Sequence, residues 1–532
     1  MKSNILVLFI LFRFTILSQA NVYFVSSSGN DMALGDESHP WKTIQKAANT
    51  IIAGDTVFIK GGVYKERVVV QNSGTNEQYI VFINYQGEEV IIDGEGIYWW
   101  DWNGLFDING KSYIIINGLS IKNSSYGGIW AENAHHIIIK NNSTYNTVSC
   151  GIGIWESNHV TVLENEVELA CNDGEQECIS VANSFNCEIV KNHVHHNGPG
   201  TNGGEGIDIK AGSHDIKVYQ NLVHHLNNRI GIYADAWDAH TYNIEIFQND
   251  VHHCDNSGIA IATERGGLIE NVSFYNNISY YNKWGGLELG GWTDEEYSGP
   301  TPVKHIKFIN NTSYKNGAYE DGWGHGIAVN NAFAEDIIIR NNICSQNSSQ
   351  IGIEDYLSDI IIDHNLIDGT NNVPESVFGQ DSIIADALFV DALSFNFHLL
   401  NNSPAIDNGN PIDAPIKDFD NYYRPYGDGI DIGAFEYNPA SAVSSDYSLS
   451  AKIQVFPNPF LEEIKITIHE GKLQEYDIRM YNNLGVLVKA YKVHTLLNHS
   501  FTIETKNLVS GLYIVDIESY YKESVRVKLF KE

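Results

Sequence analysis

Four ionisable side chains stand at alternate positions in two short stretches of this sequence, GIDIK and GIYAD. The first stretch contains Asp208 and Lys210, the second contains Tyr233 and Asp235, and apolar residues lie between them. A period of two is typical of a β-strand and predicts that all four side chains point away from the core, toward solvent. Carboxylates, a lysine and a tyrosine on one outward face could bind a polar substrate and transfer protons.

Lys210 is the first candidate for a base, because a lysine beside other cations and partly removed from water loses its proton more easily. Arg229 follows it by 19 residues, and its planar guanidinium is suited to neutralising a substrate carboxylate. Tyr233 could donate or accept a proton. Each of these three residues could instead have no catalytic role. Lys210 could form an ion pair with Asp235 or Asp208, and Arg229 and Tyr233 could be ordinary surface residues.

A repeat that covers most of the chain must position these groups. Short strand cores recur from residue 127 to 356, and each repeat also carries an Asn followed by a β-branched or small residue, at spacings of 24 to 34 residues. Each repeat holds about three β-rich runs and no helical pattern, so it must bury its apolar face by stacking on its neighbours. We therefore predict an all-β fold, a right-handed parallel β-helix with one repeat per coil. The recurring Asn would form an internal ladder of amides.

Aligning the strand cores by their glycines places the outward residues in columns along the axis. Column one holds Trp130, Trp155, Ser180, Asp208, Tyr233, Ala260, Glu288 and Ala328, and column two holds Glu132, Ser157, Ala182, Lys210, Asp235, Ala262, Gly290 and Asn330. Flat rings beside polar groups are typical of carbohydrate sites. The residues predicted to bind substrate are Asp208, Asp235, Trp237, Trp155, Glu264, Arg265, Trp292 and His325.

Two sets of residues could bind a metal, and neither predicts a definite site. The histidine pairs are His195-His196, His224-His225 and His252-His253. The second member of each pair falls in a column with Tyr145, Tyr280 and Tyr314, which favours a stack of aromatic rings over a metal site. The acids Asp173, Glu175, Glu177 and Glu205 could bind calcium, but they lack a diagnostic spacing. Solvated loop acids are the simpler interpretation.

The chain divides into four segments. Residues 1–20 have the positive start, apolar run and small-residue end of a secretory signal peptide. Residues 21–437 form the predicted β-helix, opened by a short helix in HPWKTIQKAANTI that covers the first coil. Residues 438–451 read as a linker, and residues 452–532 as a small β-sandwich of alternating strands.

Composition limits the partners and the redox chemistry. A formal net charge of −33 disfavours nucleic acid and anionic membranes as partners. Six cysteines in 532 residues are too few for a disulfide framework. One bridge among Cys171, Cys178 and Cys187, or free stacked thiols, are the two alternatives. We expect a secreted monomer.

The last segment resembles a known family. FPNPF, the YNNLG turn, SGLYIV and the basic KLFKE end are similar to the C-terminal sorting domain of the type IX secretion system. The resemblance implies that the type IX machinery exports the protein across the outer membrane, to the medium or to the outer-membrane surface. It also implies that the tail can be removed.

The repeat also resembles a known family. GGEGIDIK, RIGIYADAWDAHTYNIEIF and GIAIATERGGLIENVSFYNN are similar to secreted right-handed β-helix polysaccharide lyases, in particular the alginate-lyase-like type. In such lyases a lysine is the base and an arginine assists it, which implies these roles for Lys210 and Arg229. No cofactor is then required. Calcium stays possible, although the sequence lacks the clear carboxylate cluster of the calcium-dependent lyases.

These observations predict a lyase that cleaves a uronate-containing glycan by β-elimination, with alginate as the first substrate to test. Arg229, with His325 or Arg265, would neutralise the C5 carboxylate, Lys210 would remove the C5 proton, and Tyr233 or water would protonate O4. Trp155, Trp237 and Trp292 would line the subsites.

Two other functions stay open. One is a glycoside hydrolase that uses two of Asp208, Asp235, Glu264 and Glu288. The other is a non-catalytic glycan-binding surface protein, whose groove would have aromatic rings but no converging acid and base.

Overall fold

The structure is a computed structural model. It describes residues 20–99, 102–173, 175–199, 203–294, 296–317, 324–353, 357, 359–369 and 377–439, and in the tail 453–456, 460–468, 474–482, 487–495, 500–519 and 524–531. The predicted signal peptide, apart from Ala20, and most of the predicted linker lie outside these residues. Among the described residues, no helix is long and apolar enough to cross a membrane.

Three long parallel sheets wind into the predicted right-handed β-helix. Sheet 1 has 13 strands: Val22–Val25, Thr56–Ile59, Ile80–Asn84, Ser112–Asn117, His135–Lys140, Asn158–Leu163, Phe185–Val190, His214–Tyr219, Ala239–Phe247, Gly267–Tyr275, Val303–Ile309, Ala334–Arg340 and Ile360–Asp363. Sheet 2 has 11 strands: Val68–Val69, Gly104–Asp107, Gly127–Glu132, Ile152–Trp155, Ile179–Ala182, Ile207–Lys210, Ile232–Asp235, Ile259–Ala262, Leu287–Leu289, His325–Val329 and Ser349–Ile353. Sheet 3 has 13 strands: Gly62–Tyr64, Val90–Asp93, Ser120–Lys122, Ser143–Tyr145, Glu166–Glu168, His193–His195, Leu222–His224, Asp250–His252, Ile278–Tyr280, Thr312–Tyr314, Ile343–Ser345, Leu366–Asp368 and Ile383–Ile384.

The interior of the solenoid is a column of β-branched side chains. Along sheet 2, Ile207, Ile232 and Ile259 are neighbours in register and fully buried. Sheets 1 and 3 add further Ile and Val residues to the same core. Such residues pack well on a pleated surface, and each coil buries its apolar face only against the next.

The predicted asparagine ladder is present and runs through nine coils. Its members are Asn142, Asn165, Asn192, Asn221, Asn249, Asn277, Asn311, Asn342 and Asn365. In each step the backbone N–H and side-chain Nδ2 of one Asn donate to Oδ1 of the next, as for Asn221 to Asn249 at 3.1 and 3.0 Å. The ladder satisfies polar groups inside an apolar core.

Where the sequence has two consecutive Asn, the second belongs to the ladder rather than the first. The first points outward, and in three coils it binds the chain that follows the last coil, residues 377–439: Asn276 donates to the Lys417 carbonyl, Asn310 to the Asp431 carbonyl and Asn341 to the Asn410 carbonyl.

The predicted opening helix spans Ile44–Thr50. Thr43 caps its N-terminus by accepting a hydrogen bond from the Lys46 N–H at 3.1 Å. The helix buries Ile44, Ala47 and Ala48 against the start of the solenoid. It thereby covers the open end of the first coil.

Residues 377–439 follow the last coil with irregular chain, one short hairpin (Phe389–Asp391 and Asn396–Leu399) and a 3-10 turn at Ala392–Ser394. They pack along the outside of sheet 3 across several coils. The buried Arg424 and Glu436 form an ion pair at 2.7 Å that holds this segment together. All six cysteines of the chain are buried free thiols, so the free-thiol alternative is confirmed.

The tail forms two antiparallel sheets around their own core, as predicted. One contains Ile453–Phe456, Glu463–Ile468 and Ser500–Glu504, and the other contains Gln474–Asn482, Leu487–Thr495, Gly511–Ser519 and Ser524–Lys531. Its buried residues include Phe460, Tyr476 and Tyr513, and they form a cluster separate from the solenoid core.

Candidate functional site

A cleft of about 830 Å³ lies on the outward face of sheet 2. The turns on both sides of the sheet form its walls. Its lining contains eight of the predicted site residues: Trp155, Asp208, Lys210, Arg229, Tyr233, Asp235, Trp237 and Glu264. The register pairs Asp208 with Tyr233, so the predicted columns are correct at the centre of the cleft.

The columns are wrong at their first coils. Trp130 pairs with Gly153, and Trp155 pairs with Glu132, so Trp155 belongs to column two in place of Ser157. The Trp130 ring occupies the space above Gly153, where an added Cβ would lie 2.7 Å from the ring. A glycine is therefore required at the position that the sequence alignment had given to a tryptophan.

The central ionisable groups point outward but are not solvated, contrary to the prediction. Asp208 is 2% exposed, and Tyr233 and Asp235 are each 4% exposed. They are covered by one another and by neighbouring side chains of the cleft. Removal from water is therefore the main influence on their protonation.

Lys210 is held by the preceding coil. Its Nζ donates to Glu177 Oε1 at 2.6 Å and to Gln176 Oε1 at 3.1 Å. Burial alone would lower the pKa of Lys210, but Glu177, Asp208 and Asp235 outweigh it and raise that pKa. Because its pKa is raised, Lys210 carries its proton in the free protein.

The pKa values of the carboxyl groups in the cleft are raised as well, which favours their neutral form. Burial, together with the charge of Glu177, raises the pKa of Glu205 to about 7 and that of Asp208 well above its usual range. Burial and Glu264 raise the pKa of Asp235. Carboxyl groups outnumber the two cations, Lys210 and Arg229, in this cleft.

Arg229 lies on the wall next to Glu205. Its Nη1 is 3.8 Å from Glu205 Oε1, and one fifth of its side chain is exposed. A guanidinium that lines the cleft can meet a substrate carboxylate.

Tyr233 takes part in a hydrogen-bonded group with Glu264 and Trp292. Its hydroxyl donates to Glu264 Oε1 at 2.5 Å and accepts from Trp292 Nε1 at 3.2 Å. Burial and the Glu264 carboxylate raise the pKa of Tyr233 well above its usual range. Tyr233 is therefore a neutral proton donor, and Trp292 supports it from outside the cleft lining.

Aromatic rings lie at two positions along the cleft. At one, Trp155 packs against Trp130 and Trp102 with ring centroids 5.2 Å from each. At the other, Trp237 is 40% exposed, and the Arg265 guanidinium lies over its ring at 5.3 Å. Arg265 also binds Glu296 at 3.1 Å, outside the cleft lining.

Besides Trp292 and Arg265, two further predicted residues lie outside the cleft lining. His325 begins a strand of sheet 2 that lies four strands beyond Ile207–Lys210, or roughly 19 Å at the usual strand spacing. Glu288 is 1% exposed and accepts hydrogen bonds from Ser257 and Asn330. His325 is thus not a partner of Arg229, and Glu288 is not a member of a carboxylate pair in the cleft.

The sequence reasoning missed the role of Glu177 and Glu205. Both stand two residues before their strands, and because Ile179 pairs with Ile207, they occupy equivalent positions of adjacent coils. This shared position was the signal that could have placed them beside Lys210. Trp102, which precedes the repeats used for the alignment, was missed as well.

Comparison with known proteins gives similarity to two families. Residues 23–172 match the model for a Pel9A-like, right-handed β-helix region, and residues 454–532 match the model for a secretion system C-terminal sorting domain. An uncharacterized Bacillus subtilis protein, YwoF, is 35% identical over 128 residues, 22% of this chain and 27% of that protein. Pectate lyase PEL9 of Emericella nidulans is 40% identical over 78 residues, 14% of this chain and 19% of that protein.

Solved structures with this architecture are distant in sequence. Pectate lyase Pel9A superposes with a TM-score of 0.45 at 14% identity, covering 79% of this chain and 97% of that one. An alginate lyase from Paenibacillus sp. gives 0.34 at 12% identity, covering 64% and 97%. The matched segments span about a quarter or less of the two curated relatives. The sorting-domain match confirms secretion to the medium or the cell surface, and the β-helix match confirms the architecture of the first coils.

Proposed function

We propose that this protein is a polysaccharide lyase that cleaves a uronate-containing glycan by β-elimination. The observation that carries the proposal is the placement of Lys210 and Arg229 in one cleft with a neutral tyrosine and the exposed Trp237. The similarity of the first coils to the Pel9A-like region and to a pectate lyase supports it.

Each step of the elimination can be given to a residue of the cleft. Arg229 binds the C5 carboxylate and stabilises the negative charge that develops when the C5–H bond breaks. Lys210, once deprotonated, takes that proton. The electron pair forms the C4–C5 double bond as the C4–O bond breaks, and Tyr233 or water protonates the departing O4. The products are a new reducing end and an unsaturated uronate.

Lys210 must lose its proton before it can act, and the carboxylates around it oppose this. Glu177 Oε2, Asp208 Oδ1 and Asp235 Oδ1 are buried and have no hydrogen-bond partner. Hard oxygen donors of this kind fit calcium, although among the described residues no three of these oxygens lie within 4.8 Å of one another. Calcium held by Glu177, Asp208 and Asp235 would offset their charge and lower the pKa of Lys210.

Two substrates deserve the first tests. Alginate follows from the resemblance of the repeat, and pectate follows from the name of the Emericella nidulans relative. Both present a carboxylate at C5 and a leaving oxygen at C4, so the same residues serve both.

The decisive experiment follows two signals at once. The protein is incubated with alginate, pectate and glycosaminoglycans, with and without calcium, while ultraviolet absorbance and reducing ends are recorded. A lyase produces both signals, because elimination creates a double bond conjugated with the carboxylate. Reducing ends without absorbance would refute the proposal, and neither signal in the presence of measurable binding would indicate a non-catalytic glycan-binding protein.

The hydrolase alternative has one observation in its favour. Asp208 and Asp235 are buried carboxyl groups with raised pKa values, and a hydrolase needs such a group as its general acid. If it were correct, Asp208→Asn and Asp235→Asn would abolish the release of reducing ends, while Lys210→Ala would have a mild effect.

A further inference from the structure

We propose that Glu166, His193 and His195 bind one divalent transition-metal ion of the Zn²⁺ type. The three residues lie on two adjacent strands of sheet 3, Glu166–Glu168 and His193–His195, away from the sheet that carries the cleft. Glu166 is the register neighbour of His193, and His195 follows on the same face two residues later. One ligand atom of each residue lies within 4.8 Å of the other two.

The distances between these atoms match metal ligands better than a hydrogen-bonded ion pair. Glu166 Oε1 is 3.7 Å from His193 Nδ1 and 3.5 Å from His195 Nε2. A charge-assisted hydrogen bond is roughly 2.7–2.9 Å long. Ligands bound tetrahedrally at about 2.0–2.1 Å from Zn²⁺ stand roughly 3.3 Å apart. A small movement of the three side chains toward one another would therefore bring their ligand atoms to the spacing that Zn²⁺ requires.

The second nitrogen of each imidazole is already engaged by another histidine. His193 Nε2 is 2.8 Å from His224 Nε2, and His195 Nδ1 is 2.8 Å from His196 Nδ1. When each of these nitrogens donates its proton outward, His193 Nδ1 and His195 Nε2 direct lone pairs toward Glu166. Outer hydrogen bonds of this kind orient metal-binding imidazoles in known sites.

The surroundings favour a site that is rigid and accessible from one side. The His193 and His195 side chains are 2% and 0% exposed, whereas Glu166 is 24% exposed. The ion could enter past Glu166, and water could fill a fourth position there. Two imidazoles and one carboxylate suit Zn²⁺, Co²⁺ or Ni²⁺ better than calcium. The ion would join two neighbouring coils.

The other histidines of the two stacks, His196, His224, His225, His252 and His253, are not ligands in this arrangement; only His195, the first ring of one stack, is also a ligand. His195, His224 and His252 stack in register with Tyr280, and His196, His225 and His253 form a second stack that ends on Tyr281. The first member of each pair, rather than the second, thus shares the tyrosine column. The stacking interpretation is confirmed for these pairs, and the proposed site lies at the start of the first stack.

Metal uptake by the full chain tests the proposal. The protein is stripped with a chelator and titrated with Zn²⁺ by calorimetry, and Co²⁺ is used as a visible probe of tetrahedral coordination. We expect one ion per chain and a tetrahedral Co²⁺ spectrum. Glu166→Gln and His195→Gln should each weaken Zn²⁺ binding by more than the roughly 10–100-fold that outer partners of a metal site typically contribute.

His253→Gln is the matched control, because His253 stands in the outer stack, two coils away and without contact to Glu166. It should leave the affinity unchanged. No stoichiometric uptake at micromolar Zn²⁺, or equal binding by Glu166→Gln and the parent protein, would overturn the proposal. Glu166→Gln changes a partly exposed side chain, and circular dichroism checks that it is folded.

Discussion

Lys210 binds Glu177 across the boundary between two coils, with 2.6 Å between Nζ and Oε1. The amine belongs to one strand of sheet 2, and the carboxylate stands just before the preceding strand. The contact fixes the lysine over the floor of the cleft and also keeps it protonated. The same carboxylate therefore positions Lys210 and opposes its activation as a base.

Replacing Lys210 with alanine should lower the rate of uronate elimination by at least ~100-fold, since a general base typically contributes that much. Initial rates of absorbance increase measure the effect. Lys217→Ala is the control, because Lys217 is a half-exposed lysine of sheet 1 that pairs with Glu245. A rate within a few-fold of the parent for Lys210→Ala would exclude this residue as the base.

Glu177→Gln should move the rising limb of the pH–rate profile to lower pH. Glu177 contributes to the raised pKa of Lys210, so removing its charge lowers that pKa and increases the deprotonated fraction at a given pH. The profile is measured at saturating substrate, with and without calcium. An unchanged limb would mean that a group other than Lys210 limits the rate.

Glu205 should make the folded state less stable as pH rises. Its pKa of about 7 in the folded protein exceeds the usual value of 4.5, so the folded state holds this proton more tightly than the unfolded state. By linkage, this contribution to stability is complete below about pH 4.5 and is lost as pH rises through 7.

Glu205→Gln should therefore stabilise the protein above pH 7, by on the order of 3 kcal/mol, with the difference vanishing below about pH 4.5. Denaturant unfolding at several pH values measures it. The exposed Glu188 on sheet 1 supplies the control Glu188→Gln, which should show no such trend. A stability difference that is constant with pH would contradict the assignment.

Asn221→Leu should destabilise the solenoid by on the order of 1–3 kcal/mol, because it leaves buried ladder groups without partners. Asn221 accepts from Asn192 and donates to Asn249 and to the Ile189 carbonyl. Thermal unfolding measures the loss. Asn227→Leu is the exposed control and should lie within about 0.5 kcal/mol of the parent. Equal melting temperatures for the two variants would argue against a stabilising ladder.

Deleting residues 440–532 should separate export from catalysis. The tail has its own core, so the remaining solenoid should fold and keep its elimination rate. In its native host the shortened protein should accumulate in the periplasm, while the full chain reaches the medium or cell surface. Cell fractionation measures the distribution. Normal secretion of the shortened protein would show that residues 454–532 are not the export signal.

Repetition is what made the fold predictable from the sequence. The strand cores and the asparagines each recur in almost every coil. Both recur for the same physical reason, because each side chain packs against or bonds to the equivalent side chains of the two adjacent coils. The short helix over the first coil followed from the same logic, because an open coil end must be covered. The tail was recognisable from its alternating strands and its sorting-domain resemblance.

The side-chain contacts of the cleft could not be predicted in the same way. The partner of Lys210 comes from a turn outside the strand pattern, so periodicity gave no indication of Glu177. Glu288 has the same strand position as Asp208 but is closed off by Ser257 and Asn330. The shift of Trp155 by one column, which is two residues along the strand, depends on the ring of Trp130 above Gly153. Each of these contacts depends on local packing, which the repeat does not encode.

The turn between sheet 1 and sheet 3 has the same form in nine coils: one residue with positive φ, from Asn141 to His364, and then the ladder Asn. Ladder residues are nevertheless separated by anything from 23 to 34 chain positions. The length differences are therefore accommodated elsewhere, chiefly in the turns that flank sheet 2 and build the cleft walls. The walls of the cleft can therefore change in length one coil at a time while the axis of the solenoid stays unchanged.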